Sequence, residues 1–340
     1  MNEAPPINDP PPAPPPFKDR RTGLIVFGIL EILLACVILL MIAAMLFGQV
    51  MLARSVGIAT DWRMMVYMAA FYGGLAATFI SLGIGSTLCR RWARALTLIV
   101  AWPWLAMGII TLPSMVFVLP RVMAASASQG PTPPPGLLKI IVVAQLLVMA
   151  FFFILIPAVL LFFYSRRDVK STCEAHDPKP RWTDTVPLPV LGVALGLWLG
   201  ALIFPFFGIA YRGAMPLFGT ILSGLPGIAF TIVAGALWFW MGLMWYRRRL
   251  IGWWALLAAL LLFGISNTIT FTRIDFTEMF RKMGYPEAQI DMMRQTVGVL
   301  RGFMTWSSII WIAPLLAFLI WCKRFFDGRA ANNSPGPTPQ

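Results

Sequence analysis

One acidic side chain lies inside the apolar runs of this sequence: Glu31, within Gly23–Gln49, with no arginine or histidine at membrane depth to accompany it. A carboxylate at the centre of a bilayer costs roughly 2.5–3.5 kcal/mol on insertion scales, so Glu31 must face protein or water. Gly28, three residues before it, and Ala35, four after, share its helical face, where small residues let a neighbouring helix approach closely. Two chemistries fit this pattern. One is a proton or cation site on a transport path; the other is a carboxyl hydrogen-bonded across a helix interface. Gln145 and the Ser266-Asn267-Thr268 group are the other polar candidates inside apolar runs. Asn267 lies toward the outer end of its run, where interhelical hydrogen bonding of about 0.6–2 kcal/mol accounts for it without a ligand.

Cys173-x-x-His176, flanked by Glu174 and Asp177, has the spacing of half a metal site. A structural zinc site takes four ligands in two pairs, and His176 is the sole histidine, with no second cysteine pair to join it. No metal and no cofactor are expected. The chain also has no His-Glu-x-x-His, no Gly-x-Ser-x-Gly and no phosphate-binding glycine loop followed by Lys-Ser/Thr. Hydrolysis inside a membrane needs an acid, a base or a metal near the reacting atoms, and one glutamate is a poor basis for it. The expectation is a protein that is not an enzyme and has no catalytic residues.

The elements that position these residues are read from composition. The chain is 59% hydrophobic and 12% charged, where a soluble domain carries about 25% charged residues. Spanning a hydrocarbon core about 30 Å thick takes roughly 20 apolar residues. Eight runs meet this: Gly23–Gln49, Met64–Leu88, Ala95–Leu119, Leu137–Tyr164, Leu188–Ala210, Ile221–Trp245, Ile251–Phe271 and Gly302–Trp321. The first is too long for a cleaved signal peptide, whose apolar region is about 7–15 residues, and reads as a retained span. With the N-terminus inside, 17 of the 27 lysines and arginines fall on inner segments, which favours both termini in the cytoplasm. The net charge of +13 is thus a topology signal and no sign of nucleic-acid binding. Trp245, Tyr246, Trp253 and Trp254 flank the inner Arg247 to Arg249, as amphipathic rings do at a headgroup boundary. Cys36, Cys89, Cys173 and Cys322 all fall in spans or on the inner side, so no disulfide framework is expected.

A shift of 157 carries Arg90 and Arg91 onto Arg247 and Arg248, Pro157 onto Pro314 and Arg166 onto Lys323. The fold class is therefore all-α, a polytopic membrane protein whose eight spans form a parallel 4+4 repeat about an axis along the membrane normal. The divisions are a proline-rich tail (1–21), a first four-helix unit (22–164), a cytoplasmic connector (165–187), a second four-helix unit (188–325) and a C-terminal tail (326–340). The connector is long enough to hinge and too short for a soluble domain. Pro120 to Gly136 has the composition of a flexible outer linker. In the second unit an outer helical hairpin is expected over 275–300, with Phe276, Met279 and Phe280 on one face of its first arm and Ile290, Met293 and Val297 on its second. That stripe could dock on the bundle, lie on the membrane or bind a partner, docking being the default. Two small-residue faces, Gly192-x-x-x-Gly196-x-x-x-Gly200 and Ala69-x-x-x-Gly73-x-x-x-Ala77, are expected to pack helices within the bundle, or else to form a homodimer seam.

The string Cys173-Glu174, then Asp177-Pro178-Lys179-Pro180-Arg181-Trp182-Thr183-Asp184 and Pro187-Leu188-Pro189-Val190-Leu191, resembles one found in an uncharacterised family of multi-pass bacterial membrane proteins. The resemblance covers about twenty residues; it implies a bacterial inner-membrane setting and supplies no catalytic residues. The function expected is that of an assembly or partner-binding component acting through the outer hairpin and the connector. The alternative is a small-solute or proton-coupled transporter using Glu31, with Gln145 and Asn267 as further polar positions.

Overall fold

The computed structural model describes residues 17–56, 62–127, 134–285, 287, 290, 291, 310 and 312–326. Helix α1 covers Arg21–Val56, α2 Trp62–Thr87 and α3 Arg91–Ala127. Helix α4, Pro135–Ala150, passes through a π-helical turn, Phe151–Leu155, into α5, Ile156–Tyr164. A short helix α6, Arg167–His176, and a 3-10 turn, Trp182–Asp184, lead to α7, Leu188–Ala210. A two-stranded ribbon, β1 Met215–Leu217 and β2 Thr220–Leu222, joins α7 to α8, Leu225–Tyr246. Helix α9, Leu250–Arg273, and the amphipathic α10, Phe276–Met283, complete the named elements; residues 312–322 form a further helical stretch. Among the described residues seven helical segments are long and apolar enough to cross a membrane, and the chain is a multi-pass helical membrane protein. The first half of the eighth expected run, Gly302–Trp321, lies outside the described residues, as do Met293 and Val297.

The turns at 88–90 and 247–249, α6 and the end of the last helical stretch lie on one side, termed the basic face. The ribbon and α10 lie on the opposite face. Two antiparallel pairs, α1 with α2 and α7 with α8, are the most closely packed. In the first pair the backbones meet at Gly28 and Gly83: a Cβ on either would lie 2.5–2.6 Å from the other's carbonyl oxygen. Helix α7 bridges the two halves, with Gly192 facing Ile99 of α3, which a Cβ at that position would touch, and Phe206 and Phe207 against Tyr67 and Phe71 of α2.

Pro157 lacks the N–H that would close a bond to the Phe153 carbonyl, and the helix widens into its π turn just there. The Phe153 carbonyl group comes against Gly108 of α3, where no side chain could fit. Helix α3 runs on to Ala127, past Pro120, so the first residues of the stretch read as flexible linker are helical. The ribbon was not legible in the sequence. Its turn residues Phe218 and Gly219 both take positive φ (46° and 81°), as a two-residue hairpin turn with the twist of its strands requires.

Candidate functional site

Glu31 sits ten residues into α1, about 15 Å along the helix at 1.5 Å per residue, and is 2% exposed. The Gly28–Gly83 contact brings α1 and α2 close enough for their side chains to meet. Because Cα–Cβ bonds lean toward the N-terminus of their own helix, Glu31 and Ser86 in antiparallel helices lean toward each other. Ser86 Oγ donates to Glu31 Oε2 at 3.2 Å, and Thr97 Oγ1 of α3 donates to Oε1 at 3.1 Å. Tyr164 OH, at the end of α5, donates to Ser86 Oγ at 2.8 Å. Four helices thus contribute one residue each to a closed chain, Tyr164 to Ser86 to Glu31, with Thr97 from the other side. Every member is at most 2% exposed. The arrangement can hold helices in register, and its hydroxyls can also pass a proton.

The connector closes over this cluster on the basic face. Val169, Thr172 and Cys173 of α6 are buried, Cys173 in the same apolar core as Tyr164, Leu24 and Leu98. Arg94 Nε donates to the Tyr164 carbonyl at 3.0 Å, tying α3 to the end of α5. Asp177, 3% exposed, accepts from Arg181 Nε and Nη2 at 3.0 and 2.7 Å and from the Arg91 backbone N–H at 3.4 Å, and Arg90 lies 3.8 Å away. It therefore closes the N-terminus of α3, where unpaired N–H groups and the helix dipole favour an anion. The Arg181 hydrogen bonds hold its carboxyl below the usual carboxylate range, against the opposing effect of burial, with smaller help from the Arg91 N–H, Arg181 charge and Arg90 charge. Asp168 pairs with Arg20 at 3.5 Å and Asp184 with Arg91 at 3.7 Å. A segment with the composition of a hinge is docked, and its acids rather than its bases dock it.

The remaining sequence candidates do not converge on Glu31. Gln145 is exposed on α4, and Asn267 is half-buried on α9; the hydrogen bonds to Glu31 come from Ser86 and Thr97 instead. Beside Asn267, Ser266 Oγ accepts from Phe218 N at 3.1 Å and Thr270 Oγ1 from Gly219 N at 3.2 Å, so this polar stretch receives the ribbon's turn. Of the packing faces, Gly200 meets the ring of Trp238 and Gly192 faces Ile99, whereas Gly196 and Gly73 face open space among the described residues. On the α2 face Ala69 and Gly73 are half-buried and Ala77 is exposed. Burial pushes the Cys173 thiol up to about 12, against the charge of Arg94, which makes it a packing residue more than a ligand. His176 is exposed, its Nδ1 3.0 Å from the Thr172 carbonyl oxygen. Among the described residues no three potential ligands cluster to hold a metal ion.

Sequence reasoning missed Ser86, Thr97 and Tyr164. A signal was available for one of them: Ser86 follows Gly83 by three residues, as Glu31 follows Gly28. The chain matches no protein-family model, no curated protein and no solved structure.

Proposed function

We propose that this chain is a non-enzymatic inner-membrane protein of eight spans, both termini cytoplasmic, that serves as an assembly or partner-binding component. The observation that carries the reading is that both oxygens of Glu31 are engaged by side chains of neighbouring helices in a sealed interface. A carboxyl so held acts as a structural lock between α1, α2 and α3.

An eighth span is supported by the end of the chain. Helix α9 leaves the basic face and α10 lies against the ribbon, with Lys282 Nζ 3.4 Å from the Ile221 carbonyl oxygen. Yet Trp253, in the first turn of α9, donates through Nε1 to the Leu319 carbonyl at 2.9 Å, and Phe326 meets Trp245. This return of the chain to the basic face is what supports a further crossing.

The parallel repeat draws support from two turns built alike. Leu88, Cys89 and Arg90 donate to Ile84, Ser86 and Gly85, and Arg247, Arg248 and Arg249 donate to Leu243, Trp245 and Met244. Cys89 and Arg248 share φ 53°. These pair at a shift of 159, not 157, and the same shift takes Arg94, bonded to the Tyr164 carbonyl, onto Trp253, bonded to the Leu319 carbonyl. In the second half Ala194 stands opposite Gly242 as Gly28 stands opposite Gly83, which sets Leu197 in the place of Glu31 and Trp245 in that of Ser86. The polar lock belongs to one half only, which disfavours a transport site shared by both.

The partner surface is sought on the outer hairpin. Phe276 is buried and stacks on Phe271, and Met279 and Phe280 are half-buried, so the apolar side of α10 is largely covered, while Glu278 and Arg281 are exposed. A photo-crosslinker at Glu278 is expected to capture a second polypeptide, and one at Phe276 only the same chain. Self-adducts alone at both positions would remove the hairpin from the proposal. The transporter reading keeps one point in its favour, the hydroxyl relay from Tyr164 through Ser86 to Glu31. Proton or solute flux in proteoliposomes that Glu31→Gln abolishes would establish it in place of the lock.

A further inference from the structure

The cations of the basic face are handled differently in the two halves. Under the first half several meet carboxylates, Arg20 with Asp168, Arg90 and Arg181 with Asp177, Arg91 with Asp184 and Lys170 with Glu174, while Arg166 lies over the single ring of Phe162, 4.4 Å from its centroid. Under the second half Lys323 and Arg324 pair with no carboxylate among the described residues. They rest on rings instead. The Arg324 guanidinium carbon lies 3.9 Å from the centroid of Trp321 and 4.9 Å from that of Phe325, and Lys323 Nζ lies 5.5 Å from Trp253 and 6.0 Å from Trp254.

This cluster is fixed in place. The Trp253 bond to the Leu319 carbonyl joins the start of α9 to the last helical stretch, and the Trp253 and Trp254 rings meet edge to face, centroids 4.8 Å apart. Trp253 is buried, whereas Trp254 and Trp321 are 53% and 44% exposed on the outside of the bundle. Snorkelling alone would let these long side chains reach into water, free of contact. Here the rings hold two charges that meet no carboxylate among the described residues, with Arg324 exposed beside Trp321.

From this geometry we propose that Lys323 and Arg324, framed by Trp254 and Trp321, form a binding site for the headgroup of an anionic phospholipid. The charge is complementary, a guanidinium matches a phosphate with two parallel donors, and basic sites between spans on this side suit such headgroups. Indole rings at the same level lie where the glycerol backbone of that lipid would run.

The test uses the purified full chain, delipidated in detergent and titrated with phosphatidylglycerol or with phosphatidylcholine of the same acyl chains, retention being read by native mass spectrometry. The wild type should retain phosphatidylglycerol preferentially. K323Q/R324Q should lose about 30-fold in that affinity, roughly five-fold per cation, with an unchanged melting midpoint showing that it is folded. K323R/R324K should keep most of the preference. R167Q/K179Q, which removes exposed cations of the connector, should match the wild type. Equal retention of the two lipids, or an equal loss in R167Q/K179Q, would overturn the site in favour of diffuse charge. Full displacement by millimolar inorganic phosphate would also overturn it, by making the ligand a free anion.

Discussion

At the scale of single residues, Glu31 is one link in a chain whose middle member is Ser86. Ser86 both accepts from Tyr164 and donates to Glu31, so its loss removes two hydrogen bonds of the chain, whereas loss of the Thr97 hydroxyl removes one. A buried group left without a partner costs about 1–3 kcal/mol. Ser86→Ala is therefore expected to lower stability by about twice as much as Thr97→Val, measured by unfolding in detergent, and equal effects would contradict the chain of bonds. Glu31 was legible in the sequence because an acid in an apolar run is conspicuous. Ser86 and Thr97 were not, because hydroxyl residues occur throughout apolar helices and usually bond to their own backbone, as Thr78 and Ser81 do here to the Gly74 and Ala77 carbonyls.

At the scale of elements, the connector depends on Asp177, a carboxylate that meets three arginines and a helix start. Its folded pKa is depressed, so its contribution is complete above the unfolded value near pH 4 and is lost as pH falls through the lower folded value. Trp182, exposed in the 3-10 turn beside this aspartate, serves as the reporter. Acidification below about pH 4 should change its emission, read as the difference between wild type and Trp182→Phe because the chain holds 14 tryptophans, while Asp177→Asn should show the altered difference already at pH 7. At pH 8 the same variant should be cut faster by trypsin after Arg181; unchanged cleavage would mean that the buried surface of α6 holds the connector without the aspartate. The proline-bearing, polar composition of 165–187 gave no warning of docking. Composition reports what a segment can do alone, and here the partners, Arg20, Arg90 and Arg91, lie far away in the chain. Elsewhere local packing decides the element: the π turn at Phe151–Leu155 rests against Gly108, and Gly108→Ala should destabilise by about 1–3 kcal/mol through overpacking against the Phe153 carbonyl.

At the scale of the whole molecule, apolar runs gave the spans readily, because lipid demands some 20 apolar residues per crossing whatever the fold. Their ends were less legible: α1 and α3 run on past the apolar residues, to Val56 and Ala127, since a helix continues wherever its backbone bonds can close. The number of crossings decides on which side the chain ends, and parity makes this a sharp test. With seven, the C-terminus would lie opposite the N-terminus; with eight, both lie on the basic face. The Trp253–Leu319 hydrogen bond and the Trp245–Phe326 ring contact bring the chain's last described turn back beside the start of α9, so eight is the expected outcome. Reporter fusions after Tyr164 and after Phe326 should both read out in the cytoplasm, and one after Arg273 on the far side. If the Phe326 fusion alone reported from the far side, the eighth span would be lost, and with it the pairing of Lys323 with Arg166 on which the repeat was first read. If all three reversed together, the eight spans would stand and the assignment of the basic face to the cytoplasm would fall.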